Sequence, residues 1–90
     1  MKSLFLTGYG LSLSIKNTRL SFKQGSIPFD GQKVRAVELP ASACNFDKVI
    51  IQGNGYVSTE ALQRLAESNI NVIMLGKRGN FAAIFTKLPS

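Results

Sequence analysis

The sequence predicts a β-rich α+β domain: antiparallel hairpins plus one βαβ unit with a single helix, about Ser58-Asn69. Three observations predict it. LSLSIK (Leu11 to Lys16) and RLSFKQ (Arg19 to Gln24) alternate apolar with polar residues, the period of half-buried strands. STEALQRLAES (Ser58 to Ser68) has the helical period instead. It lies between two apolar runs rich in β-branched residues, DKVIIQ and INVIML, so strand, helix and strand follow in a βαβ order.

Element by element, SLFLT (Ser3 to Thr7) reads as a short strand, and Gly8-Tyr9-Gly10 as a turn, because paired glycines permit positive φ. Leu11 to Lys16 and Arg19 to Gln24 form a hairpin around Asn17-Thr18. A two-residue loop pairs Lys16 with Arg19, Ile15 with Leu20, Ser14 with Ser21, Leu13 with Phe22 and Ser12 with Lys23. Every apolar residue then opposes an apolar one, as burial of one face requires. Gly25 to Lys33 is loop-like. Val34 to Leu39 reads as a fourth strand stopped by Pro40, and Asp47 to Gln52 as a fifth, with Gly53-Asn54-Gly55 turning the chain. Ser58 is the expected helix N-cap, Glu60 suits the first turn, and Glu60 with Arg64 has the favourable spacing of four. Ala61, Leu62, Leu65 and Ala66 form the apolar stripe; Glu60, Gln63, Arg64 and Glu67 point to water. Asn69 suits a left-handed C-terminal position. Ile70 to Leu75 reads as a strand covered on both faces, and Phe81 to Phe85 returns antiparallel to it.

Composition narrows the functional classes. The chain has 90 residues, enough for one domain, with 44% hydrophobic and 18% charged residues. A chain of this length buries only about 60–65% of the surface its unfolded form exposes, so its stability is modest without a partner. Eleven Lys and Arg against five Asp and Glu give a net charge of +6. That balance is compatible with a nucleic-acid partner, and many small soluble domains share it. Cys44 is the single cysteine, so no intramolecular disulfide can form and an intracellular, cytoplasmic location is expected. No histidine is present to activate Cys44, which reads as a small half-buried apolar residue. No run approaches the roughly 18 apolar residues of a membrane span, so no membrane partner is expected. The apolar part of MKSLFLTGYG is too short for a secretory signal.

Motifs for chemistry fail on inspection. Gly53-Asn54-Gly55 before a helix invites a dinucleotide-fold reading, but position 58 is Ser58 rather than glycine, and Gly76-Lys77 sits where the ribose-binding acid should end the second strand. Gly76-Lys77 lacks the earlier glycine and the following Ser or Thr of a phosphate-binding loop. Asp30, Glu38, Asp47, Glu60 and Glu67 show no paired spacing, and they read as surface and helix-capping acids. No catalytic or metal-binding residue is assigned, and no cofactor is expected in this chain.

Read in order, a strand ending in Tyr-Gly, an alternating hairpin, then ELP, DKVIIQGN and VSTEALQRLAESNINVIMLGKRGNF resemble the N-terminal β-domain of the CRISPR adaptation integrases, the Cas-one family. The resemblance covers essentially the whole chain, and its helix-to-hairpin half is the more specific. SNINV stands where the family often has glycine before the isoleucine, a position asparagine can also take. Extra residues lie around Ala41 to Asn45 and Gly55-Tyr56. The resemblance implies an N-terminal β-domain over residues 1–86 and the start of a linker over 87–90, leading to a helical catalytic domain. In the family the metal-binding acids and histidine lie in that domain, so divalent Mg or Mn is expected there and the chain itself is expected to be non-catalytic. The family cuts and joins DNA at the repeat array during spacer acquisition, in antiviral defence. What the resemblance carries onto this chain is a homodimerising scaffold that positions double-stranded or forked DNA, with a second adaptation protein as a further partner.

The candidate nucleic-acid-binding residues are Tyr9, Lys16, Arg19, Lys23, Lys77 and Arg78. The hairpin register places Lys16, Arg19 and Lys23 on one face, where they either meet phosphate or stand in solvent. Tyr9, between two glycines, is placed to present its ring, and it resembles the family's Tyr-Gly whose aromatic abuts a duplex end; otherwise it packs over the hairpin. Lys77-Arg78 forms a basic tip between glycines, which serves DNA, a partner chain or solvation alone. Ile70, Val72, Met74, Phe81 and Phe85 are more apolar surface than one short helix covers, so part of it is expected to meet a second copy. Three further readings stay open: the same domain of a casposase-type transposon integrase, a free-standing basic nucleic-acid-binding module, and a structural adaptor whose charge is incidental.

Overall fold

The computed structural model describes residues 2–26, 35–76 and 81–86, without the side chains of Phe81 and Ala82. The strands are β1 (Ser3–Lys16), β2 (Arg19–Lys23), β3 (Val37–Leu39), β4 (Lys48–Val57), β5 (Asn71–Leu75) and β6 (Phe81–Phe85). One α-helix, α1 (Thr59–Glu67), and a 3-10 turn over Ala41–Ala43 complete the described elements. The strands form one six-stranded sheet in the order β3-β2-β1-β4-β5-β6. β1–β4 and β4–β5 are parallel, and the other pairs are antiparallel. The expected β-rich α+β class holds.

The hairpin has the register its alternation dictates. Lys16 pairs with Arg19, Ile15 with Leu20, Ser14 with Ser21, Leu13 with Phe22 and Ser12 with Lys23. Asn17 and Thr18 both take positive φ, 52° and 63°. Positive φ at both central positions is the mark of the type I′ turn, one of the two tight hairpin turns whose twist follows that of the strands. Arg64 of α1 donates to the Thr18 carbonyl at 2.6 Å, tying the helix to this turn.

Two expected turns are strand instead. Gly8-Tyr9-Gly10 lies inside the 14-residue β1, and Gly53-Asn54-Gly55 lies inside β4. They pair with each other: Gly8 with Gly53, Tyr9 with Asn54, then Leu11 with Gly55 across a bulge. Positive φ at Gly8 and Gly10 is absorbed by that bulge rather than by a reversal. A Cβ on Gly53 would stand 2.2 Å from the Gly8 carbonyl oxygen, so glycine here serves close approach of two backbones. The fourth strand is shorter than expected, Val37–Leu39, ahead of Pro40.

The crossover between β4 and β5 forms as its pattern requires. Ser58 caps α1, its hydroxyl accepting from the Ala61 amide at 3.1 Å, and Asn69 adopts φ 60°. Ala61 and Leu65 are buried with Leu6, Leu11, Leu13, Leu20, Val49, Ile51 and Val72, and Leu62 packs against this core. Under the β3 side, Phe46 meets Phe22 edge-on with ring centroids 5.6 Å apart. All of this lies on one face of the sheet. β5 is therefore not covered on both sides: Val72 is buried, whereas the alternate residues Ile73 and Leu75 are half-buried.

Candidate nucleic-acid interface

Because strand side chains alternate, the register also defines the sheet's second face. The bulge at Gly10 shifts the phase of β1, so Leu4, Leu6, Leu11 and Leu13 all face the core. Phe5, Thr7, Tyr9, Ser12, Ser14 and Lys16 therefore share the outer face. Their neighbours there are Arg19, Ser21 and Lys23 on β2, and Ile50, Gln52, Asn54 and Tyr56 on β4.

Lys16, Arg19 and Lys23 come together on this face as expected, and all three are exposed. Glu38, opposite Ser21 on β3, is the nearest acid in the register. The one ion pair among the described residues is Arg64–Glu60 at 3.6 Å on the helix, so it does not neutralise them. Lys16 stands directly opposite Arg19, a repulsive cross-strand pair that an anion would relieve.

Tyr9 is 54% exposed, but it sits mid-strand at the bulge rather than at a strand end. Its backbone is held on both sides. Asn54 pairs with it along β4; on the other side its amide donates to the Ser26 carbonyl at 3.0 Å, and the Ser26 amide donates back at 2.8 Å. Gln24 extends β2's hold on β1: its carbonyl accepts from the Thr7 amide at 3.1 Å, and its amino group donates to the Phe5 carbonyl. Lys77 and Arg78 lie outside the described residues.

Three outer-face residues escaped the sequence reading. Tyr56 is 60% exposed and pairs with Ser12, which pairs in turn with Lys23. Gln52 and Asn54 flank the open side of Tyr9, beside a hollow of about 340 Å³. The signal existed: positions 48, 50, 52, 54 and 56 alternate along β4, once its glycines are read as strand.

The other half of this face is apolar. Phe5, Ile50, Ile73 and Ile84 stand in one cross-strand row over β1, β4, β5 and β6. Phe5 is 56% and Ile84 50% exposed. This row replaces most of the apolar set expected at a partner surface. Ile70 and Val72 are buried in the chain's own core, Met74 packs against it, and Phe85 stays partly open at 36%. The Phe81 side chain is outside the described residues.

Among the described residues no three of His, Cys, Asp or Glu come together to hold a metal ion. Cys44 donates to the Pro40 carbonyl at 3.7 Å, and partial burial pushes its thiol above the ordinary range. Among the described residues no helix is long and apolar enough to cross a membrane.

The family model for the CRISPR associated protein Cas1 matches residues 4–90. The chain belongs to the Cas1 family. Its fold recurs among solved structures of Cas1 proteins and of a casposase. A casposase bound to integration product is 24% identical over 100% of this chain, with a TM-score of 0.88. A Cas1 protein from Thermotoga maritima is 17% identical over 98%, with a TM-score of 0.68. A partial Cas6-RT-Cas1–Cas2 complex is 19% identical over 97%, with a TM-score of 0.66. This Cas1-family chain spans 26%, 25% and 24% of those chains, about a quarter of each. No curated protein matches it.

Proposed function

We propose that this chain is the non-catalytic N-terminal β-domain, residues 1–86, of a CRISPR spacer-acquisition integrase, and that it dimerises and seats DNA for insertion into the repeat array. On this reading residues 87–90 begin a linker, and the metal-dependent cutting and joining belongs to a separate helical domain using Mg or Mn. The observation that carries the proposal is the divided outer face. One half gathers Lys16, Arg19, Lys23 and two open tyrosines, the combination that neutralises phosphates and meets base surfaces. The other half presents the row Phe5, Ile50, Ile73 and Ile84, which a second copy would cover.

A casposase-type integrase is the second reading, favoured by the TM-score of 0.88 against the casposase beside 0.68 and 0.66 for the two Cas1 structures. Both readings assign this domain the same work. Sedimentation and gel shifts with a forked duplex test it. The expected result is a dimer at tens of micromolar that Phe5→Asp with Ile84→Asp dissociates, and a shift that Tyr9→Ala weakens. A monomeric native chain removes the dimer, and an unshifted duplex removes the DNA role.

A further inference from the structure

The sheet face that carries α1 is covered unevenly. The helix packs over β1 and β5, and the β3 end is left to Phe46 and the side chains beneath it. A hollow of about 120 Å³ remains there, its walls including Leu4, Phe22, Phe46, Val37, Leu39 and Arg35. An apolar cavity of roughly 150 Å³ admits one benzene ring, and small-molecule pockets begin at about 300 Å³. The hollow is therefore the size of a single aliphatic side chain.

It opens beside a sheet edge. β3 ends the strand order, and among the described residues no strand pairs with its outer side. Val37 pairs with Phe22 and Leu39 with Leu20, so both face the hollow, whereas Glu38, opposite Ser21, faces the other way. Val37 is 55% exposed although it stands on the apolar side. Arg35 shares the parity of Val37 and Leu39, and among the described residues lining the hollow it alone is charged.

An open edge with a pocket at alternate positions takes an extended peptide as an extra strand: main-chain hydrogen bonds hold it, and the pocket selects its side chains. The residues of this edge set the pattern. An acid belongs opposite Arg35, aliphatic residues belong opposite Val37 and Leu39, and a cation belongs opposite Glu38 on the other face. A second copy does not supply it. Two β3 strands paired antiparallel about Glu38 oppose like charges, and paired about Val37 they set Arg35 against Leu39. Neither register gives Arg35 an acid.

We propose that the β3 edge and its hollow dock an extended segment of a partner protein, with an acid and two aliphatic residues at alternate positions and a cation between the aliphatic pair. The site lies on the opposite face of the sheet from Phe5, Lys16, Arg19 and Lys23, so it goes beyond the DNA and dimer reading and does not depend on it.

The probes are two labelled peptides, Glu-Thr-Leu-Lys-Val and its reverse, each flanked by serines, which cover parallel and antiparallel addition. Fluorescence anisotropy with the native chain is expected to show saturable binding of one of them. Changing that peptide's leucine to alanine should weaken it about tenfold or more, the effect of one buried aliphatic side chain. N-methylation of two adjacent amides, one of which must face β3, should abolish binding. Arg35→Glu should weaken it about fivefold, as an exposed ion pair becomes a like-charge pair, and a peptide with lysine in place of its glutamate should recover affinity on that variant alone. Val37→Asp should abolish binding while a thermal melt stays close to native, because the side chain is exposed. Saturation by neither peptide overturns the inference, as does binding indifferent to the leucine or to the charge swap. A native dimer dissociated by Val37→Asp in sedimentation would put a second copy on this edge, and a forked duplex that displaces the peptide would put nucleic acid at Arg35. Either result also overturns it.

Discussion

Replacing Lys16, Arg19 and Lys23 together by serine removes the three exposed cations that the β1–β2 register gathers on one face. Each cation that neutralises a phosphate releases counterions and contributes about −0.9 to the slope of log K against log salt. Three contacts therefore contribute about −2.7, and between roughly 50 and 200 mM salt the native chain should lose about 40-fold more affinity than the variant. Stability supplies an internal control. Lys16 directly opposes Arg19, and like charges in that arrangement destabilise a sheet, so the variant should melt no lower than the native chain. Anisotropy titrations of one forked duplex at four salt concentrations, with a thermal melt of each protein, measure both quantities. Parallel salt slopes in native and variant proteins would show that these cations do not touch the backbone, whatever the change in absolute affinity.

Other consequences concern the fold. Leu65 is fully buried under the sheet, so Leu65→Ala should cost about 2–5 kcal/mol in urea unfolding, and a cost below about 1 kcal/mol would mean that the helix does not seat there. Gly10→Ala meets nothing within 4 Å but must hold φ 80°, whereas Gly53→Ala would place its Cβ 2.2 Å from the Gly8 oxygen. Gly10→Ala should therefore cost about 1–3 kcal/mol and Gly53→Ala clearly more; the reverse order by denaturant midpoint would contradict the β1–β4 pairing. Burial raises the Cys44 thiol, so the folded chain holds its proton where an unfolded thiol has begun to ionise. Alkylation should be slower in the folded than in the unfolded chain at pH 8, with its midpoint displaced upward, and this thiol's contribution to stability should fade as pH rises through that window. Equal rates would place Cys44 in open water.

What the sequence revealed, and what it hid, follows from the range of the interactions involved. The Leu11–Lys16 and Arg19–Lys23 register was readable because alternation and a two-residue turn are local, and it located Lys16, Arg19 and Lys23 correctly on one face. The helix was readable from its stripe and its Ser58 cap. Gly8-Tyr9-Gly10 and Gly53-Asn54-Gly55 misled because glycine usually reports a reversal, and here each triplet needed the other, more than forty positions away, to become strand. Reading Gly53–Gly55 as a turn then detached Tyr56 from the sheet and hid Gln52 and Asn54 beside Tyr9. The apolar surplus was noticed but misplaced: Ile70 and Val72 fill the core, while Phe5 and Ile84, which looked unremarkable alone, line up with Ile50 and Ile73 only once four strands are ordered.

The proposal that DNA meets the outer sheet face is tested most directly by amide and side-chain NMR on a chain of 9.8 kDa titrated with a forked duplex. Shifts should cluster at Tyr9, Ser12, Lys16, Arg19, Lys23, Gln52, Asn54 and Tyr56, with α1 from Thr59 to Glu67 little changed. Shifts concentrated on the exposed residues of α1, with the tyrosines and the three cations silent, would contradict it.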